Sequence, residues 1–302
     1  MNYFRLLTTT LITSTLCTQS VFAADKINVV ASFSILGDLV QQVGSEHVSV
    51  STLVGPNGDA HVYQPTPQDT IRLTKSQLFV VNGLGFEGWM ERLVSASHYK
   101  GKVITASQGI TPQTFTDADD NKAAPHVAQD PHAWHNIPNA LQYVHNIADG
   151  LSQIDPEHKV EYQANAGNYI QRLEQLDKSL LAEFAAIPAN KRKMITSHDA
   201  FGYLSARYQI TTIAPQGMST ESEASASDVA KIIKQIRKEH IKALFVENIS
   251  DPRLMQQISK ETGVNPGKEL FSDALSDKSG PASTYLDMMH YNTTQILSAL
   301  KQ

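Results

Sequence analysis

Thiol chemistry is nearly absent from this sequence: 302 residues contain one cysteine, Cys17. It lies in the opening stretch, residues 1–23, which has Arg5 as its only charge, then a run rich in Leu, Thr and Ile, and ends in Val21-Phe22-Ala23. A basic start, an apolar middle and a small final residue form the pattern of a cleaved signal peptide. The stretch also lacks the ~20 apolar residues of a membrane-spanning helix, because Thr and Ser interrupt it. Export is therefore expected. Leu16 stands before Cys17 where lipid attachment calls for a small residue, so a lipid anchor is not expected. Once the signal is removed no cysteine remains, and disulfides and thiolate ligands are both excluded. Any metal must then be held by His, Asp or Glu.

A basic surplus is missing as well. Lys and Arg number 25 against 30 acids, and loss of Arg5 with the signal leaves a formal charge near −6. That balance does not suit nucleic acid or an anionic membrane surface. About 280 mature residues exceed a single hydrophobic core, so two domains are expected.

Short apolar runs at residues 27–33, 48–54, 78–82 and 102–106 read as strands buried on both faces. Helical stretches separate them, such as residues 67–74, where Thr66 can cap and Pro67 suits the first turn. The second half repeats the style, with strands expected at 193–197, 211–214, 243–247 and 269–272. Its helices are expected at 228–240, with Ser225 and Asp228 in capping-box spacing, and from Asp251-Pro252 to Gly263. Alternating strands and helices predict α/β architecture: two similar lobes, each a mostly parallel sheet flanked by helices. Residues 156–186 contain no further proline, and Tyr169, Leu173, Leu176, Leu180 and Phe184 recur at helical spacing. They predict one long connecting helix, stiff enough to allow only small lobe movements. The expected division is signal peptide 1–23, first lobe 24–154, linking helix 155–187 and second lobe 188–302. Residues 111–129 lack apolar periodicity and read as a mobile surface loop.

Of eleven histidines, His47, His98, His145, His158, His240 and His290 have polar neighbours on helices or at turns and suggest nothing special. His61, His132 and His198 sit differently. His61 lies in a turn-rich loop after the strand ending at Val54, His132 follows Asp130-Pro131, and His198 directly follows a strand. Asp273 also follows a strand, at the end where open α/β sheets present ligands. Three neutral imidazoles and one carboxylate suit tetrahedral Zn²⁺.

These residues sit in Gly58-Asp59-Ala60-His61-Val62-Tyr63-Gln64-Pro65, Asp130-Pro131-His132-Ala133-Trp134, Thr196-Ser197-His198-Asp199-Ala200-Phe201-Gly202-Tyr203 and Phe271-Ser272-Asp273-Ala274-Leu275. In order and combination the segments resemble the ligand segments of the metal-binding solute-binding proteins of ABC importers, the ZnuA/TroA-like zinc- and manganese-binding cluster. The resemblance covers the whole mature chain. It implies that His61, His132, His198 and Asp273 bind one ion between the lobes of a periplasmic, monomeric protein. The implied partners are a membrane permease and, as a further candidate, a metallochaperone. Manganese-type members commonly carry Glu where this chain has His198, so the resemblance implies zinc ahead of manganese or iron. Two features depart from the pattern. His135 replaces a usually apolar residue, either as a partner of the ligands or as an exposed side chain. The loop around His126 lacks a long His-rich tract, although Asp117, Asp119, Asp120 and His126 remain candidates for loose metal contacts. Asp59 is the substitute carboxylate should Asp273 stand apart, and Glu247 either orients a ligand imidazole or caps a helix. A zinc hydrolase is the rival from another class. It is disfavoured because no His-Glu-x-x-His segment occurs and four ligands leave no open position. A surface adhesin fits export but gives the four ligands no purpose.

Overall fold

The computed structural model describes residues 26–117 and 126–302. The segment expected as a signal peptide, with Cys17, lies outside them. Two parallel sheets carry the architecture. In the first, β1 (Ile27–Phe33) lies between β2 (Val48–Val54) and β3 (Leu78–Val81), with β4 (Lys102–Thr105) beyond β3. All its pairings are parallel. The second has β7 (Lys193–Ile195) between β8 (Thr211–Ile213) and β9 (Ala243–Leu244), again parallel. Its strands are shorter than the apolar runs predict. Beyond them the chain continues through isolated parallel bridges, His198 with Gln216 and Glu247 with Leu270. Of these bridge residues, His198 turns its ring toward His61 and His132 of the first lobe, with Glu247 behind it. The stretch at 269–272, expected as a strand, is represented by the Leu270 bridge alone.

The helices follow from their punctuation. α1 (Ser34–Gly44) leaves β1 directly. Thr66 caps α2 (Pro67–Thr74), accepting from the Asp69 backbone N–H while Asp69 accepts from the Thr66 N–H. α3 is Met90–Ser97, and α4 (Ile137–Ile154) carries Pro138 in its first turn, where the missing N–H costs nothing. α6 (Gly202–Tyr208) leads into β8, and Ser225 caps α7 (Ala226–Glu239). α8 (Arg253–Thr262) ends on Gly263 at φ 75°, a left-handed position that glycine adopts without strain. α9 (Tyr285–Leu300) closes the second lobe. His98 and His240 also end helices in left-handed conformation, which accounts for both without a ligand role.

The long connector is α5 (Lys159–Ala185), 27 residues or about 40 Å. Tyr162, Ala166, Tyr169, Leu173, Leu180 and Phe184 form its buried stripe. The main core runs from the first sheet through α1, α4 and α5 to Met194, Phe201, Tyr285 and Met288 without a break. A second, smaller core lies under α7 and α8. The stretch expected as a loop at 111–129 contains an antiparallel hairpin, β5 (Thr114–Asp117) with β6 (His126–Gln129). Each strand is only four residues long, too short for apolar periodicity to announce it. Of that segment's candidates for loose metal contact, Asp119 and Asp120 fall outside the described residues. Asp117 and His126 pair backbone to backbone in the hairpin.

α5 is tied to the second lobe by a charged bond. Buried Asp177 accepts from Arg207 Nε at 3.1 Å and from the Tyr208 hydroxyl at 2.9 Å. Removing the carboxylate leaves a half-buried guanidinium and a buried hydroxyl without their acceptor. Asp177→Ala is expected to lower unfolding stability by about 1–3 kcal/mol in denaturant titration; an unchanged midpoint would show that the bond is dispensable.

Candidate metal centre

Local structure brings each ligand candidate to the carboxyl ends of the strands. His61 sits in the loop after β2, where the Trp89 indole N–H donates to Ala60 O at 2.9 Å and the His61 N–H donates to Asp59 Oδ1 at 2.9 Å. His132 is positioned from the end of β3: buried Glu87 accepts from the backbone N–H groups of Asn82 and Gly83, and the Asn82 side chain donates to Pro131 O at 2.9 Å. His198 follows β7, and its N–H and that of Ser197 donate to Glu247 Oε1 at 3.0 and 2.8 Å. Asp273 is held on both sides. Phe271 exchanges two hydrogen bonds with the Asn292 side chain of α9, and the Leu275 N–H donates to Ser34 Oγ at 2.9 Å.

The structure brings these four side chains, from four distant segments, to one point. Each offers a ligand atom, and all four atoms lie within 4.8 Å of one another. His61 Nε2 is 3.4 Å from His132 Nε2 and 3.0 Å from Asp273 Oδ2. His198 Nε2 is 3.3 Å from the same oxygen, and His132 Nε2 is 3.7 Å from Asp273 Oδ1. In a tetrahedral shell with bonds of about 2.0–2.1 Å the donors stand about 3.3 Å apart, so these spacings match the edges of such a shell. Neither Asp273 oxygen, nor His198 Nε2, has an aligned hydrogen-bond partner among the described residues. Fully buried polar atoms left in that condition are costly, and a shared cation would satisfy them together.

The outer ring nitrogens face carboxylates. His132 Nδ1 lies 2.8 Å from Asp130 Oδ1, and His198 Nδ1 lies 2.5 Å from Glu247 Oε2. Asp130 accepting from His132 Nδ1 keeps the proton there and leaves the Nε2 lone pair free to face inward. Glu247 meets His198 Nδ1 as a close charge without hydrogen-bond alignment. Phe86 and Trp134 wall the site, with ring centroids 4.9 Å from His61 and 5.3 Å from His132 respectively. Burial alone would favour a neutral Asp273, but the charges of His198 and His132 outweigh it and hold the carboxyl well below its usual range. Burial likewise opposes the charged form of His198, yet Glu247 and Asp273 together push its pKa well above the usual imidazole value. The cluster is built to hold positive charge at its centre.

The remaining candidates separate cleanly. Glu247 is fully buried and takes the orienting position. Asp59 instead holds the His61 loop to the second lobe, accepting from Thr220 Oγ1 at 2.6 Å. His135 is fully buried, which excludes the exposed alternative, and no partner meets either ring nitrogen among the described residues. It lies against Phe201, ring centroids 4.6 Å apart, and burial lowers its pKa to about 4, so the ring is neutral. Asp130 is the residue that sequence reasoning missed. Its signal is its place two residues before a ligand candidate, where its Oδ1 reaches both the backbone N–H and the ring of His132.

Comparisons with known proteins agree with this fold. The chain is 32% identical over 280 residues to the iron-binding protein YfeA of Yersinia pestis, across 92% of this chain and 88% of that one. It is 30% identical over 284 residues to the manganese ABC transporter substrate-binding lipoprotein scaA of Streptococcus gordonii, across 92% and 90%. The solved structure of the periplasmic zinc binding protein TroA from Treponema pallidum superposes with a TM-score of 0.84 at 29% identity, covering 91% of this chain and 99% of that one. Among the described residues no helix is long and apolar enough to cross a membrane. A profile of the family described as zinc-uptake complex component A, periplasmic (ZnuA) matches residues 29–299. The chain belongs to that family, and it is a metal-binding, substrate-binding component of an ABC importer rather than an enzyme.

Proposed function

We propose that the protein captures Zn²⁺ with His61, His132, His198 and Asp273 and delivers it to the membrane permease of its importer. The observation that carries this reading is the donor set: three imidazole nitrogens and one carboxylate, spaced as the edges of a tetrahedron. Imidazole suits a borderline cation such as Zn²⁺, whereas Mn²⁺ favours carboxylate, carbonyl and water oxygens. Asp273 brings one negative charge to the ion and Asp130 and Glu247 bring two more through the imidazoles, so the charge of a divalent cation is offset without direct solvent. A second reading, Mn²⁺ or iron, is favoured by the names of several relatives and by both oxygens of Asp273 facing the cluster.

The ligands come from segments of both lobes, so the shell is complete only in one interlobe arrangement, and the ion stabilises that arrangement over any other. Loaded and metal-free forms then differ at the surface the permease meets. Titrating the metal-free protein with Zn²⁺ and Mn²⁺ tests the reading. One tight Zn²⁺ equivalent that outcompetes Mn²⁺ is expected, and His61→Ala or His198→Ala is expected to weaken it by about a hundredfold or more. A preference for Mn²⁺ would select the second reading, and unchanged affinity in both variants would reject the ligand assignment.

Imidazoles coordinate only when neutral, so protons compete with the ion. Zn²⁺ affinity is expected to fall steadily between about pH 7.5 and 5.5. A flat profile over that range would exclude imidazole coordination. Placement is part of the same proposal: the mature protein works in the periplasm after cleavage following Ala23, with Leu16 before Cys17 speaking against lipid attachment. Relatives named as lipoproteins support the other processing. Intact mass of the exported protein separates the two, an unmodified chain starting at Ala24 being expected and a lipid-bearing Cys17 terminus overturning it.

A further inference from the structure

A second set of metal-ligating side chains lies outside the centre just described. His47, in the turn of 3₁₀ helix at Ser45–His47 between α1 and β2, places Nε2 2.7 Å from Glu161 Oε2 in the first turn of α5. Glu46 completes the set: one ligand atom from each of Glu46, His47 and Glu161 falls within a 4.8 Å cluster. The geometry is supported from behind. The His47 ring stacks on His158, centroids 3.9 Å apart, and meets the edge of the buried Tyr162 ring. His158 is itself anchored by Nδ1 to Asp155 Oδ2 at 2.7 Å, and the Tyr162 hydroxyl donates to the same oxygen at 2.6 Å. The His47 imidazole is therefore wedged, with its side chain only 16% exposed, while Glu161 is 57% exposed and open to solvent.

Carboxylates are dense here: Glu46 and Glu161 face the His47 ring, and Asp155 holds His158 behind it. The place is also remote from the first centre. His47 precedes β2 at the amino end of the sheet, whereas His61 follows its carboxyl end, and seven residues of strand separate those ends by about 23 Å.

We propose that Glu46, His47 and Glu161 form a second, solvent-facing site for a divalent cation, weaker than the buried centre and independent of it. One imidazole and two carboxylates suit Zn²⁺, with water completing the shell. Three protein ligands and an open face give a site that exchanges its ion quickly. An ion there also ties the start of α5 to the turn before β2, since its ligands come from both.

The test is calorimetric titration of the mature, metal-free protein with Zn²⁺ alone. Two binding events are expected, and His47→Ala or Glu161→Gln is expected to weaken the second by about tenfold or more while leaving the tight one unchanged. His198→Ala is expected to do the reverse, so failure of the buried-centre reading and failure of this one are distinguishable. A wild-type protein that shows no event sensitive to His47→Ala or Glu161→Gln overturns the proposal, as does a second event that survives both. Circular dichroism of each variant guards against misfolding; should His47→Ala unfold, the milder Glu161→Gln carries the test.

Discussion

An ionised carboxylate sealed from water is the constraint around which this molecule is arranged. Asp273 has no solvent exposure, and desolvation of such a group costs several kcal/mol unless positive charge meets it. Three imidazoles surround it, and a proton or a metal ion can supply the charge. Asp273 and Glu247 flank the His198 ring and favour its charged form against burial. A divalent cation shared by the four donors would do more, because it would meet all of them at once.

The scaffold follows from that need. Parallel strands end together, so loops after β2, β3, β7 and β9 reach one crevice, and α5 holds the two sheets with those ends facing each other. The polar side chains that would be liabilities inside a core become positioning devices there: Glu87 fixes the turn that carries His132, and Asn292 fixes the strand end that carries Asp273.

Much of this was legible in the amino-acid sequence. Apolar runs mark all four strands of the first sheet, the long periodic stripe marks α5, and strand-end positions single out the four residues that meet. What escaped did so for physical reasons. The second sheet's strands are shorter than their apolar runs because Thr196, Ser197 and Phe245 stay buried after leaving regular pairing, and burial is what hydropathy reports. The runs at 114–117 and 126–129 are each four residues long, too short for apolar periodicity to announce. His135 reads as polar, yet an aromatic ring can occupy a buried slot against Phe201 when it stays neutral. Asp130 could not be told from a turn-forming aspartate before a proline, since its task depends on where the His132 ring points.

The cross-lobe bonds decide how such a site can let go. Ser272 O accepts from the Trp134 indole, the Leu275 N–H donates to Ser34, and the Tyr203 hydroxyl donates to Asp130 O. Thr220 donates to Asp59, and the Asn57 N–H donates to Leu275 O. His61, His132 and Asp273 thus each have a close neighbour bonded to the opposite lobe, the His198 segment reaches across through Tyr203, and the main core passes through the same boundary. Separating the lobes would exchange every one of these bonds for water at about 0.5–1.5 kcal/mol apiece, several kcal/mol together, besides breaking the metal shell. Opening therefore carries a cost of several kcal/mol from these bonds alone. Contacts that favour the open form must offset that cost, and a partner surface gripping both lobes is the agent that can provide them.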